Sequence, residues 1–419
     1  MQQRTVAVIG AGVAGLTAAY VLASSYEVTL YEADGRLGGH AHTRELPGSR
    51  DLPVAVDSGF IVHNERTYPT LLRLFRELGI GTQDAEMSLS VRCDGCGLEY
   101  AGARGPTGLF ASRPTLRGRH LRLLAEVPVF HRGARRLLAR GAHSGITFGD
   151  FLRKGGFSPY FVSHFALPLV ASVWSCPAQA ALSHPAAHLF AFLRHHGLLS
   201  ITGSPQWKTV AGGSAAYVTA AAKHIQRIRT SSPVRAVRRT HQGAQVTTGD
   251  GATEAYDAVV IATHPDQALR MLADPTEEEQ RLLGAFTYSR NPTVLHTDTR
   301  VLPRSPRARA SWNYRMTGCD PSTEPVRVSY DMRRLQRLPE GADYVVTLGG
   351  EDGIAADRVV ERMVYEHPVY TPASVAAQSR LPRLNDGVTA YAGAWHGWGF
   401  HEDGCRSGAR AARSLGVRW

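Results

Sequence analysis

Two short stretches near opposite ends of the chain hold the residues best suited to chemistry. Near the start, Gly10, Gly12 and Gly15 are spaced as Gly-x-Gly-x-x-Gly, with Ala14 inside the motif and Glu32 further on. Gly10 permits a tight turn, Gly12 lets backbone approach a pyrophosphate, and Gly15 lets a helix pack closely on a strand. The unpaired N–H groups and dipole of a helix start favour phosphate charge. A carboxylate at Glu32 can accept hydrogen bonds from ribose hydroxyls and would repel a 2′-phosphate. Near the end, Trp395-His396-Gly397-Trp398-Gly399-Phe400-His401-Glu402-Asp403-Gly404 sets aromatics, imidazoles and glycines before a helix. Such a helix start points N–H groups at something anionic. The plainer reading is a strand-to-helix turn with core tryptophans. His63 and His401 are candidate acid–base groups, since imidazole titrates near neutrality. Their plainer reading is structural hydrogen bonding. Tyr68, Trp395, His396 and Trp398 are candidates for a pocket wall.

The elements that must position these residues follow from local pattern. Thr5 to Ile9 reads as a strand buried on both faces, Leu16 to Ala23 as a helix, and Glu27 to Tyr31 as a second strand. Arg36-Leu37-Gly38-Gly39-His40 comes next, and its glycine pair lets the chain pass close to a bound ligand. Tyr68 to Leu78 reads as an amphipathic helix. Ser88 to Tyr100 reads as a hairpin, 184–199 as a His- and Phe-rich helix, and 215–228 as a helix. Tyr256 to Thr263 is a buried strand, and further strands recur at 292–297, 326–330 and 344–348. Gly387 to Ala394 is a strand, and a helix is expected from Cys405 to Leu415.

A chain of 419 residues with 43% hydrophobic and 20% charged residues is an ordinary globular composition, long enough for two domains. No apolar run approaches the ~20 residues of a membrane span. The first strand begins almost at once, which leaves no room for a signal peptide, so a cytoplasmic protein is expected. The formal charge of +11 is carried mostly by arginine. Residues 109–140 are basic and amphipathic, a segment that could meet an anionic membrane surface or an acyl carrier, or could simply be a solvated face. No nucleic-acid partner is expected, and nothing in the sequence sets an oligomeric state. Cys93-Asp94-Gly95-Cys96 reads as a hairpin turn, because no second CxxC or nearby His pair completes a zinc site. No metal is expected there or among His184, His188, His195 and His196.

Glu32-x3-Arg36-x-Gly38-Gly39 after a βαβ unit resembles the FAD-binding flavin amine oxidase and phytoene desaturase superfamily rather than NAD dehydrogenases. The resemblance implies a resident FAD. It implies an α/β chain with a Rossmann-type FAD-binding domain (glutathione-reductase-like) interleaved with an α+β substrate domain. The FAD domain would take 1–86, 206–265 and 382–419, and the substrate domain 87–205 and 266–381. Implied cofactor contacts are Gly10, Gly12, Ala14, Gly15, Glu32, Arg36, Gly38, Gly39, His40, Gly59, Phe60, Ile61, Val234, Gly393, Glu402, Asp403 and Gly404. Val234 would meet adenine through its backbone, and the last helix would start at the flavin N1–C2=O edge.

Longer stretches are similar to one branch of that superfamily, the flavoproteins encoded beside or fused to cyclopropane fatty acid synthases. They include 59–69, 206–214, Leu295-His296-Thr297-Asp298, His367-Pro368-Val369-Tyr370-Thr371 and 399–404. Amine oxidases commonly carry a lysine that holds a water near flavin N5; the matching region, Tyr288-Ser289-Arg290-Asn291-Pro292-Thr293, has none. The expected reaction is therefore a desaturation or dehydrogenation, with hydride passing from a C–H of an apolar, acyl-type substrate to flavin N5. Three rivals stand beside it. They are an amine or amino-acid oxidase releasing hydrogen peroxide, a redox-neutral double-bond isomerase, and a non-catalytic flavin-holding partner of a methyltransferase.

Overall fold

Val6, Ala7, Val8 and Ile9 are all buried, as a strand covered on both faces requires. They lie at the centre of the computed structural model, which describes residues 3–48, 53–141, 145–200, 203–320 and 326–419. The chain opens with β1 (Arg4–Ile9), α1 (Val13–Leu22) and β2 (Tyr26–Tyr31). After a loop and a two-stranded ribbon come β3 (Val62–Asn64), α2 (Pro69–Glu77) and β4 (Thr82–Ala85). A hairpin follows, β5 (Leu89–Cys93) and β6 (Leu98–Ala101), then a helical lobe whose longest members are α3 (Gly118–Ala139) and α4 (Ala186–His195). The chain returns through β7 (Trp207–Val210), α5 (Ala215–Ala222), β8 (Arg227–Arg229) and β9 (Ala258–Ile261). It leaves again as β10 (Thr287–His296), β11 (Trp312–Met316), β12 (Arg327–Asp331), β13 (Val345–Leu348) and β14 (Val359–Val369). It closes with β15 (Thr389–Tyr391) and α6 (His401–Ser414).

Five strands form a parallel sheet in the order β8-β2-β1-β9-β15. One apolar core lies on each side of it. The first includes Val6, Val8, Leu16, Phe75 and Tyr217; the second includes Ala7, Ile9, Tyr31, Ile261 and Trp395. A separate seven-stranded sheet runs β14-β10-β13-β12-β11-β5-β6. A small sheet, β3-β7-β4, joins chain before and after the helical lobe. The lobe packs around Phe130, with Phe148, Phe151, Phe161 and Phe190 meeting its ring. The architecture is thus a mixed α/β fold, a Rossmann-like parallel sheet beside a second sheet-containing region.

Three local expectations change. The helix expected over 215–228 stops at Ala222, and Arg227–Arg229 is an edge strand beside β2. Gln226 fixes that edge by accepting a hydrogen bond from the Val28 N–H at 3.1 Å. The last helix begins at His401, not Cys405, so Glu402 and Asp403 occupy its first turn. The Cys93–Cys96 turn sits at a hairpin as expected, but the fold brings His164 and Cys319 to it, so a possible ligand set does surround the pair. Among the described residues, no helix is long and apolar enough to cross a membrane. Within 109–140, Leu116 and Leu121 are 70% and 49% exposed.

Candidate functional site

The glycine cradle is built by clashes that only glycine avoids. Gly10 sits at φ +97°, and a Cβ there would lie 2.8 Å from the Ala262 oxygen. A Cβ on Gly15 would lie 1.8 Å from the Gly10 oxygen, so α1 can approach the turn only without one. Gly12 differs, since a Cβ there would meet nothing within 4 Å among the described residues. The open space over Gly12 lies at the N-terminus of α1, whose first-turn N–H groups have no intrahelical acceptor. Glu32 is held in place, with one oxygen accepting from the Ala11 N–H at 2.7 Å and the other from the Asp34 N–H at 3.0 Å.

A second loop closes over the first. The Gly38 N–H donates to the Ala11 oxygen at 2.8 Å, and Gly38 bridges to Gly12. Gly38 and Gly39 both have positive φ, +107° and +56°. The Arg36 guanidinium donates to the Gly39 oxygen at 2.8 Å and gathers this turn around a positive charge. Gly59 must be glycine, because its Cβ would lie 2.2 Å from the His40 oxygen, the oxygen that also accepts the Phe60 N–H at 2.7 Å. Val234 begins the strand that follows Ser232, whose N–H donates to the Glu32 oxygen, so its backbone lies near the acidic tip.

His40 marks a seam with the second sheet that the sequence alone does not show. Its ring packs against Tyr365 and His367 of β14, with centroids at 5.0 and 5.4 Å. Asn291 of β10 meets the His367 ring nitrogen at 2.8 Å, and Tyr365 bonds both Ser58 and His42. Burial drives His40 well below the ordinary imidazole range and His367 down to about 4. At neutral pH these two imidazoles are uncharged.

At the other end, α6 lies against α1 through its small residues. A Cβ on Gly404 would lie 2.6 Å from Val13 and one on Gly408 would lie 2.2 Å from the Ala14 oxygen. Gly393 is constrained as well, its Cβ position falling 2.0 Å from the Trp395 ring. The two first-turn carboxylates are engaged inside the protein. Asp403 accepts from the Trp398 and Phe400 N–H groups at 2.9 and 3.2 Å and pairs with Arg406. Glu402 caps α2, accepting from the N–H groups of Thr70 and Leu71, each at 3.0 Å, and from the Thr70 hydroxyl at 2.6 Å. With both side chains engaged inside the protein, the backbone of this first turn is what they leave to face a ligand. Glu402→Ala strips a buried cap from α2 and should cost about 3 kcal/mol of stability, with Glu402→Gln costing less. Urea unfolding of the two variants measures this, and equal stability of wild type and Glu402→Ala would refute the assignment.

The candidate side chains around this helix separate into two groups. His401 is stacked on Phe60 at 3.6 Å and shares a 3.1 Å hydrogen bond with Tyr217, and burial lowers it to about 3. It is therefore a packed, neutral ring rather than a free acid–base group. Trp395 is 2% exposed in the core beside the parallel sheet, its N–H donating to the Thr263 oxygen, and so it is not a pocket wall. His63 is fully buried, lowered to about 4 by burial and then Lys208, and among the described residues neither ring nitrogen has a hydrogen-bond partner. His396 is lowered to about 3 by burial and its Nε2 also lacks a partner. Trp398 faces the helical lobe, near Phe192, His195 and His196, and donates to the His188 oxygen at 3.3 Å. Tyr68 is buried at the start of α2 near His63, His196 and Trp207. Phe192 stacks on Phe400 at 4.9 Å where the lobe meets the start of α6.

Open space at a helix start, a fixed carboxylate at Glu32 and a second glycine loop suit a flavin dinucleotide. Comparison with known proteins agrees. Residues 13–312 match the family described as flavin containing amine oxidoreductase. A Mycobacterium tuberculosis protein named as a flavin-containing monoamine oxidase, AofH, is 29% identical over 284 residues, 64% of this chain and 59% of that protein. The carotenoid phi-ring synthase of Streptomyces griseus is 28% identical over 288 residues, 65% of this chain and 54% of that protein. This chain therefore spans less than two thirds of the length of these curated relatives. The structure of a CLA-producing fatty acid isomerase from P. acnes superposes with a TM-score of 0.67, covering 97% of this chain and 98% of that one at 15% identity, a likeness of fold. With the family matched over residues 13–312, most of this chain, the chain belongs to the flavin containing amine oxidoreductase family, with FAD as its cofactor.

Proposed function

We propose that the protein dehydrogenates an apolar, acyl-type substrate, as a member of the branch associated with cyclopropane fatty acid synthases. One observation carries the reading. Strand β10 has no lysine where it reaches the seam, and Asn291 and His367 stand there instead, uncharged and hydrogen-bonded. Bound FAD supplies a hydride acceptor at N5. The chain's own residues orient the substrate, exclude water and hold the proton that leaves. Gly10, Gly12, Ala14, Gly15, Gly38, Gly39, Gly59, Phe60 and Ile61 would contact the cofactor mainly through backbone. Of the two histidines singled out in the sequence, His63 is the one left for hydrogen bonding, because His401 is engaged by Tyr217. Tyr68, Trp398 and His396 would border the substrate. The same reading divides the chain into 1–86, 206–265 and 382–419 for FAD and 87–205 and 266–381 for substrate.

The substrate would arrive at the helical lobe. There Phe110, Leu116, Leu121 and Val129 are exposed beside a row of arginines, which suits an anionic lipid surface. The test is anaerobic. Candidate acyl lipids are presented to purified holoprotein in anionic or zwitterionic vesicles while the flavin's visible band is followed. Bleaching that is faster on anionic vesicles, and no faster than on zwitterionic ones after Leu116→Glu with Leu121→Glu, is expected. Product formed without bleaching would make the enzyme an isomerase. Bleaching by amines alone, with peroxide on readmitting air, would make it an oxidase.

A further inference from the structure

The cysteine pair set aside in the sequence is half of a four-ligand cluster. Cys93 ends β5, and Cys96 lies just past the Asp94-Gly95 turn. Cys319 comes from the loop after β11, and His164 from the helical lobe. The Cys93 and Cys319 sulfurs are 3.7 Å apart, and the Cys96 sulfur is 3.7 Å from His164 Nε2. All four ligand atoms lie within 4.8 Å of one another. A tetrahedral zinc with Zn–S near 2.3 Å and Zn–N near 2.0 Å separates two sulfurs by about 3.8 Å and sulfur from nitrogen by about 3.5 Å, so these two spacings are close to those of a zinc site.

The surroundings hold the ligands in this arrangement independently of one another. The Asp94 N–H donates to the Met316 oxygen at 2.8 Å, and Arg315 pairs with the Asp94 carboxylate at 2.9 Å, which clamps the turn to the loop bearing Cys319. A Cβ on Gly95 would lie 3.1 Å from Gly318, so the glycine permits this close approach. His164 sits in a π-helical turn over Val162–Ala166, a form frequent at functional sites. Its Nδ1 lies 3.2 Å from the Tyr160 oxygen. A carbonyl only accepts, so Nδ1 carries the proton and the Nε2 lone pair faces the sulfurs. That is the orientation a metal-ligating imidazole needs.

We propose that Cys93, Cys96, Cys319 and His164 bind one structural zinc ion, which ties the β5–β6 turn and the β11 loop to the helical lobe. On binding, the three thiols each release a proton to solvent, and His164 ligates as neutral imidazole. Four protein ligands leave no open position, so the ion holds structure and does not take part in the flavin chemistry. Arg119, stacked 4.9 Å over Tyr160, supplies nearby positive charge for the resulting anionic site.

The test measures zinc and flavin in tag-free holoprotein purified under reducing conditions. About one zinc per chain is expected, falling to about a tenth or less in Cys96→Ser and Cys319→Ser while the flavin is retained. If those variants fold poorly, cobalt exchanged into the wild type should give the intense visible bands of a tetrahedral thiolate site. Zinc-free protein that stays zinc-free when reduced and reconstituted would overturn the proposal. So would unchanged zinc in the variants, absent cobalt bands, or an intact Cys93–Cys319 disulfide in freshly isolated protein.

Discussion

A folded but colourless protein is the expected product of Gly12→Val. The backbone at Gly12 has φ −69° and ψ 178°, an extended conformation that valine adopts without strain. The new Cβ meets no protein atom within 4 Å, so the apoprotein should lose no more than about 1 kcal/mol. The space the valine enters is the space through which a pyrophosphate would reach the start of α1. Losing that approach should weaken FAD retention by at least about 1,000-fold, on the order of 4 kcal/mol. Gly15→Val makes the contrasting case. Its Cβ would lie 1.8 Å from the Gly10 oxygen, so this variant should fail to fold whether or not flavin is present. Visible absorbance after gel filtration, with far-UV dichroism, separates the two. A fully yellow Gly12→Val protein would remove the cradle from the cofactor site.

That contrast also shows what a linear reading can reach. The turn at Gly10 and the close packing at Gly15 are local, set by a turn and the helix just after it, and the spacing alone announces them. The same holds for β1, β2, β9 and the β5–β6 hairpin, whose apolar runs and turn residues lie within a few positions. The start of α6 was misplaced because its signal is indirect. Gly404 looks like the residue before a helix, but it lies inside one, made necessary by Val13 of α1. The cap comes from Asp403 reaching back to the N–H groups of Trp398 and Phe400.

What could not be read along the chain is whatever the two sheets bring together. His42 and Tyr365 are 323 positions apart, and Asn291 and His367 are 76 apart, yet they meet at one seam because β10 pairs with β14 beside the cradle. Cys319 reaches Cys93 because β11 pairs with β5, with Met316 opposite Cys93. A CxxC without neighbours in sequence says only that a turn is present. Its partners appear once the strand order is known. The Glu402 cap on α2 is of the same kind, a carboxylate beside the expected flavin edge that serves a helix 332 positions away.

Acidification from pH 7 to pH 5 should destabilise this protein steeply, and its buried imidazoles are the cause. Burial lowers His42, His63, His188, His196, His296 and His367 to about 4, and His396 and His401 to about 3. In the unfolded chain these groups titrate near 6.5. Below that pH the unfolded state takes up protons that the folded state refuses, so their contribution is complete above about 6.5 and is lost as pH falls toward 4. Each fully engaged group removes about 1.4 kcal/mol per pH unit. Asp57 and Asp403 work the other way, since burial raises both from 3.8 to about 6 and their folded forms gain protons first. Two carboxyls cannot offset the larger set of imidazoles, and stability should fall by at least about 5 kcal/mol over this range. His296 shows why the folded state resists protonation. Its Nδ1 accepts the Asp298 N–H at 3.1 Å while Nε2 meets the Thr347 hydroxyl at 2.8 Å, so a second ring proton would displace the Asp298 N–H. His63 gives the sharpest check, because its unpartnered ring lies among Phe60, Tyr68 and Phe75. Phenylalanine there should keep the fold and reduce by about one the protons taken up on unfolding between pH 6 and 5. Urea midpoints that hold level or rise from pH 7 to pH 5 would show that these rings are solvated rather than sealed.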